Sequence, residues 1–89
     1  MRSLSTVRSI AANLKYLRGV KGLTQQALAE RADVDLRHLQ KIERARVPDV
    51  SVRLVEILAK ALDVPVAELV WPRRLGPAKA GRPKAGKRT

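Results

Sequence analysis

The chain of 89 residues has no cysteine, no phenylalanine and a single histidine, His38. Without thiols it forms no disulfide and offers no thiolate to a metal, and one imidazole is too few for a zinc site. No metal and no cofactor is therefore expected. Tyr16 and Trp71 are the only aromatic residues, which is too few for the stacking platform that single-stranded nucleic acid requires. No apolar run approaches the roughly 20 residues that span a bilayer. The N-terminal MRSLSTVRSIAANLKYL lacks the continuous apolar segment and cleavage site of a secretory signal. A cytoplasmic protein without membrane association is expected. Paired carboxylates, a Gly-rich phosphate loop and a nucleophile beside a base are also missing, so the chain does not read as an enzyme.

Acidic residues are scarce too. Eight Asp and Glu face nineteen Lys and Arg, a formal charge of +11. Such an excess favours a polyanionic partner, and the shortage of aromatics turns that expectation toward double-stranded DNA. The charge is unevenly spread. Residues 1–21 hold Arg2, Arg8, Lys15, Arg18 and Lys21 with no acid, and residues 71–89 hold seven basic residues with no acid. Between Val47 and Val70, Arg53 and Lys60 are outnumbered by Asp49, Glu56, Asp63 and Glu68.

The length suits one small domain of modest stability, and the patterning divides it into three stretches. Residues 1–9 show no clear period and read as a flexible basic arm. Residues 10–70 carry helical periodicity. Ile10, Leu14 and Leu17 recur at helical spacing with Asn13, Lys15 and Arg18 facing other ways, and the first helix ends near Gly22. Tyr16 reads as partly buried beside Val20. A loop at residues 45–50 contains Pro48, which a helix interior rejects. A further helix over residues 52–62 places Leu54, Leu58, Ala61 and Leu62 on one face, with Ser51 a better N-cap than Asp49 because Val50 and Val55 would flank it as a staple. Asp63-Val64-Pro65 stops it, and residues 66–70 suffice for one more turn with Leu69 inward. From Trp71 the composition becomes Pro, Gly, Ala, Lys and Arg, which cannot bury a core. Residues 71–89 read as a basic, disordered tail.

At the centre lies TQQALAERADVDLRHLQKIER, residues 24–44. Thr24 and Asp35 stand where their side chains can accept from the unpaired N–H groups that open a helix. Leu23 with Leu28, and Val34 with Leu39, flank these caps at the spacing of a hydrophobic staple. Ala29 is small, as two crossing helices require, and Leu39 and Ile42 share the inner face of the second helix. Arg37, His38, Lys41 and Arg44 are left outward. Two short helices joined by a tight turn, the second polar and basic, form the pattern of a helix-turn-helix.

Residues 14–69 resemble the lambda-repressor-like, or Cro-type (XRE family), helix-turn-helix domain. The resemblance rests on Leu17-Arg18, Gly22-Leu23-Thr24-Gln25, Leu28-Ala29, Val34, Leu39, Lys41-Ile42-Glu43-Arg44, and Leu58-Ala59-Lys60-Ala61-Leu62 with Val64. It implies an all-α, compact five-helix fold and sequence-specific DNA binding. It makes Leu36, Arg37, His38 and Lys41 the base-reading positions, with Arg37 foremost, since a guanine edge offers two acceptors to a basic side chain. For His38 a solvent-facing role stands beside DNA contact. The resemblance assigns Gln25, Gln26, Arg44, Arg46 and Arg18 to the DNA backbone, while Glu43 is expected to pair with an arginine such as Arg18. Two departures stand out: Asp33 occupies the turn where the family usually has Gly, and Ala45 follows Glu43-Arg44 where Gly is usual. Ala disfavours a left-handed helix end, so the third helix is expected to extend or end differently.

In the tail, Gly81-Arg82-Pro83 resembles the core of an AT-hook, with Arg82 and Lys84 as minor-groove or phosphate contacts. The function implied is a transcriptional regulator, a repressor or controller, that binds a palindromic operator as a homodimer and is associated with the nucleoid. Val66, Val70 and Trp71 are candidate interface residues, with Trp71 equally placed to be a lid on the monomer's own core. The alternative is an antitoxin that binds a toxin protein and its own promoter.

Overall fold

Val7, Ile10, Leu14 and Leu17 recur every three or four residues and all are buried, so one apolar stripe defines the first helix. The computed structural model describes residues 2–72. Within them run α1 (Arg2–Val20), α2 (Gln25–Ala32), α3 (Leu36–Glu43), α4 (Val52–Leu62) and α5 (Val66–Val70), with no strand among the described residues. The expected arm over residues 1–9 is corrected: the helix already runs from Arg2, and Val7 is only 2% exposed. Val7 lies one turn before Ile10 and extends the same stripe, which is why the helix does not start later. The expectations for residues 73–89, including Gly81-Arg82-Pro83, Arg82 and Lys84, lie outside the described residues.

Four helices end the same way. At each end one residue takes a left-handed conformation, Gly22, Asp33, Ala45 and Asp63 in turn, with φ of 70°, 57°, 56° and 59°. The N–H of the following residue then reaches back five positions: Leu23 to the Arg18 carbonyl, Val34 to Ala29, Arg46 to Lys41 and Val64 to Ala59, at 2.8–3.0 Å. This Schellman arrangement satisfies carbonyls that a helix end leaves without partners. It also corrects the expectation for α3. Ala45 accepts the left-handed conformation that its Cβ resists, because the bonds Ala45 N–H to Ile42 O and Arg46 N–H to Lys41 O outweigh a local strain of about 1–2 kcal/mol.

The helix starts are marked by their caps. Thr24 Oγ1 accepts from the Ala27 N–H at 3.0 Å and Ser51 Oγ from the Leu54 N–H at 3.1 Å. Asp35 stands at the N-cap of α3, but its side chain makes no capping bond; the entry of α3 is held by Val34 and Leu39 instead, respectively packed against and buried in the core.

The principal contacts close a ring: α1 packs on α3 and α5, α3 on α2, α2 on α4, and α4 on α5. Leu14, Leu28, Leu39, Ile42, Leu58, Leu62 and Leu69 fill its centre and are fully buried. Leu69 thus faces inward as expected, and α4 occupies the predicted span. Asn13 is the exception to the α1 pattern. Far from facing outward, it is 1% exposed, and its Nδ2 donates to the carbonyls of Leu69 at 2.7 Å and Trp71 at 2.8 Å. Both donors of one amide group thereby tie the end of α5 to α1.

Candidate nucleic-acid interface

The turn from α2 to α3 needs a backbone reversal within three residues, Asp33, Val34 and Asp35. Asp33 supplies the left-handed position, Val34 folds back onto the core, and Asp35 restarts the helix in extended geometry. This geometry leaves α3 with two different sides. Leu39 and Ile42 are fully buried and Glu43 is 3% exposed, whereas Arg37, His38, Lys41 and Arg44 are all exposed. None of those four side chains has a hydrogen bond or ion pair with another described residue. Leu36 is half-buried against the core, so it sits at the edge of this face.

The buried side of α3 is polar where it meets α1 and α2. Glu43 Oε2 accepts from Arg18 Nε at 2.8 Å and Glu43 Oε1 from Arg18 Nη2 at 3.1 Å, the paired geometry that suits a guanidinium. Arg18 Nη1 also donates to the Leu23 carbonyl at 3.0 Å. Gln25, the first residue of α2, donates from Nε2 to Glu43 Oε1 at 3.0 Å, and its own Oε1 accepts from Gln40 Nε2 at 3.4 Å. The pairing of Glu43 with Arg18 is as expected. Its consequence limits the other role expected of Arg18, since that guanidinium is committed to the fold and is not a free cation for the DNA backbone.

The remaining expected backbone residues lie in the first turn of α2 and beyond the end of α3. Gln26 is exposed and donates from Nε2 to Glu30 Oε2 at 3.3 Å. Arg46 is exposed beyond the end of α3, with its N–H used in the helix termination. Val66 and Trp71 are exposed and Val70 is half-buried, at α5. Trp71 is 73% exposed, so its side chain is not a lid on the core; its backbone is held instead, the carbonyl by Asn13 and the N–H by the Ala67 carbonyl. Tyr16 is 45% exposed, less covered than expected.

Gln40 and Asn13 are the residues that sequence reading missed. Gln40 lies one turn before Glu43, the acid already expected to pair with an arginine, and that spacing is the signal that places it on the same flank of α3. For Asn13, its position between Ile10 and Leu14 on the buried stripe is the only hint. No helix among the described residues is long and apolar enough to cross a membrane.

Residues 9–71 match a family model described as a helix-turn-helix domain. Among solved structures, the chain is similar to the restriction-modification controller protein C.AhdI from Aeromonas hydrophila, at 32% identity over 73% of this chain and 97% of that one, with a TM-score of 0.68. It is likewise similar to the clp gene regulator ClgR from C. glutamicum, at 32% identity over 73% and 82% of the two chains and a TM-score of 0.69. A hypothetical transcription factor from Neisseria aligns at 28% identity over 75% and 76%, with a TM-score of 0.72. No curated protein matches the chain.

Proposed function

The chain belongs to the lambda-repressor-like, XRE-type helix-turn-helix family of DNA-binding transcription regulators, and from that premise we propose that it represses or controls transcription as a homodimer on a palindromic operator. In this reading residues 36–44 enter the major groove of double-stranded DNA. Arg37 and Lys41, one turn apart, read base edges with Leu36 and His38 beside them, and Gln25, Gln26, Arg44 and Arg46 contact the backbone.

The observation that carries this reading is the outward side of α3, where four exposed polar or basic side chains have no partner among the described residues while the opposite side of the same helix is locked into the fold. An Arg and a Lys without partners among the described residues are free to spend their charge on phosphates and base edges. A domain of this size makes few base contacts, and two copies on half-sites one helical turn apart double them. The exposed Val66 and Trp71 with the half-buried Val70 offer an apolar patch for that pairing. The basic tail, residues 71–89, adds phosphate or minor-groove contacts through residues such as Arg82 and Lys84, and the protein acts in the cytoplasm on the nucleoid.

Selection of bound sites from a random DNA pool tests the proposal. Enrichment of an inverted repeat with half-sites about one helical turn apart is expected. Enrichment of no sequence, together with a tight complex with a co-expressed protein, would instead favour the antitoxin reading.

A further inference from the structure

We infer that Gln40 is a positioning residue for DNA binding: through Gln25 it orients the amide that meets a DNA phosphate. This rests on the proposed backbone role of Gln25. The orientation begins at Glu43. Its carboxylate is buried and can only accept, so Gln25 must turn Nε2 toward it, and does so at 3.0 Å. The planar amide then has to point Oε1 the other way, toward α3. The donor waiting there is Gln40 Nε2, at 3.4 Å.

The result is a directed chain in which Gln40 donates to Gln25 and Gln25 donates to Glu43. It uses the carbonyl and one N–H of Gln25 and leaves its second N–H without a partner among the described residues. A neutral side chain grips a phosphate well only when its donor is already aimed, because otherwise binding must order it. Gln40 is half-buried on the same helix as Arg37 and Lys41, so the chain also couples the α2 contact to the placement of the reading helix. Arg18 completes the anchor by holding Glu43 with two bonds, one of them to the same Oε1 that accepts from Gln25.

The test is a double-mutant cycle on the selected site with Gln40→Met, which keeps length and loses the donor, and Gln25→Met. Each single change is expected to weaken binding about three- to tenfold, the range of one modest hydrogen bond, with base preference unchanged. The double variant is expected to be no weaker than either single one. Methylphosphonate substitution supplies a readout that a purely structural role would not move: one neutralised phosphate per half-site should weaken wild-type binding and leave Gln40→Met unaffected. Melting temperatures of both variants establish that they are folded. Additive losses, a wild-type phosphate pattern in folded Gln40→Met, or unaltered affinity would overturn the inference. An altered base preference would overturn it too and make Gln40 a base reader. If wild-type protein selects no DNA site, the underlying reading of function fails, and this role falls with it.

Discussion

The two flanks of α3 differ more than their composition suggests. On the inner flank every polar side chain has a partner: Glu43 takes three donors from Arg18 and Gln25, and Gln40 is bonded to Gln25. On the outer flank Arg37, His38, Lys41 and Arg44 have none among the described residues. The helix and its C-cap thus divide their work, with stability on one side and contact surface on the other. The outer side inherits its direction from the inner one, because α3 has no cap bond from Asp35 to fix it. Arg18 and Arg37 make the contrast plain, since the same guanidinium is a structural brace in one place and an open donor in the other.

Breaking the inner flank is the largest perturbation. Glu43→Ala would leave Arg18, 21% exposed, beside a void with no carboxylate, and also remove the acceptor of Gln25. Loss of one partner from a buried pair costs about 3 kcal/mol or more, a large share of the marginal stability of a small domain. A fall of roughly 12–24 °C in melting temperature is expected. Calorimetry or thermal circular dichroism reads it, and an unchanged melting point would mean that the pair does not brace the fold.

Asn13 makes the same comparison away from α3. Asn13→Ala removes both donors from the Leu69 and Trp71 carbonyls in a site that is 1% exposed, which should cost about 2 kcal/mol. Asn13→Asp is expected to be worse, because a carboxylate would face two carbonyl oxygens without a proton to offer. Urea unfolding of the three proteins ranks them, and equal midpoints for Asp and Ala would count against direct donation.

The outer flank should respond in the opposite currency. Arg37→Ala leaves stability within about 0.5 kcal/mol, as expected for an exposed side chain with no partner among the described residues. Its cost should appear on DNA, about 1–3 kcal/mol against the selected site with a relaxed preference at one base pair. Fluorescence anisotropy with a panel of single-base variants separates affinity from preference. Unchanged preference would remove Arg37 from the readout and leave Lys41 as the next candidate.

Legibility in the sequence followed the range of the interaction. The α2–α3 pair and α4 were readable because their caps, staples and apolar spacing are local, and Thr24 and Ser51 bond as their positions predict. The pairing of Glu43 with Arg18 was readable only through family resemblance, since the two lie on separate helices. The burial of Asn13 and Gln40 is hinted at by local spacing, but their partners are not readable, because each is bonded across the fold to a residue that only the helix ring brings near. The start of α1 was misjudged for another reason. Polar residues flank Val7 on both sides, so its place on the buried stripe is marked only by its spacing to Ile10.

Ala45 offers the smallest effect and the cleanest separation of the two flanks. It takes φ of 56° at the end of α3, where Asp33 and Asp63 do the same with side chains that tolerate it better. Glycine has no Cβ to strain there, but loses more freedom on folding, so Ala45→Gly should stabilise the protein by only about 1 kcal/mol. Its backbone bonds to Ile42 and from Arg46 to Lys41 would be kept, and with them the direction of α3. DNA affinity and base preference should therefore stay as they are while the melting temperature rises by about 4–8 °C. A shift in affinity without a change in stability would show instead that the strained end of α3 tunes how Arg44 and Arg46 approach the backbone.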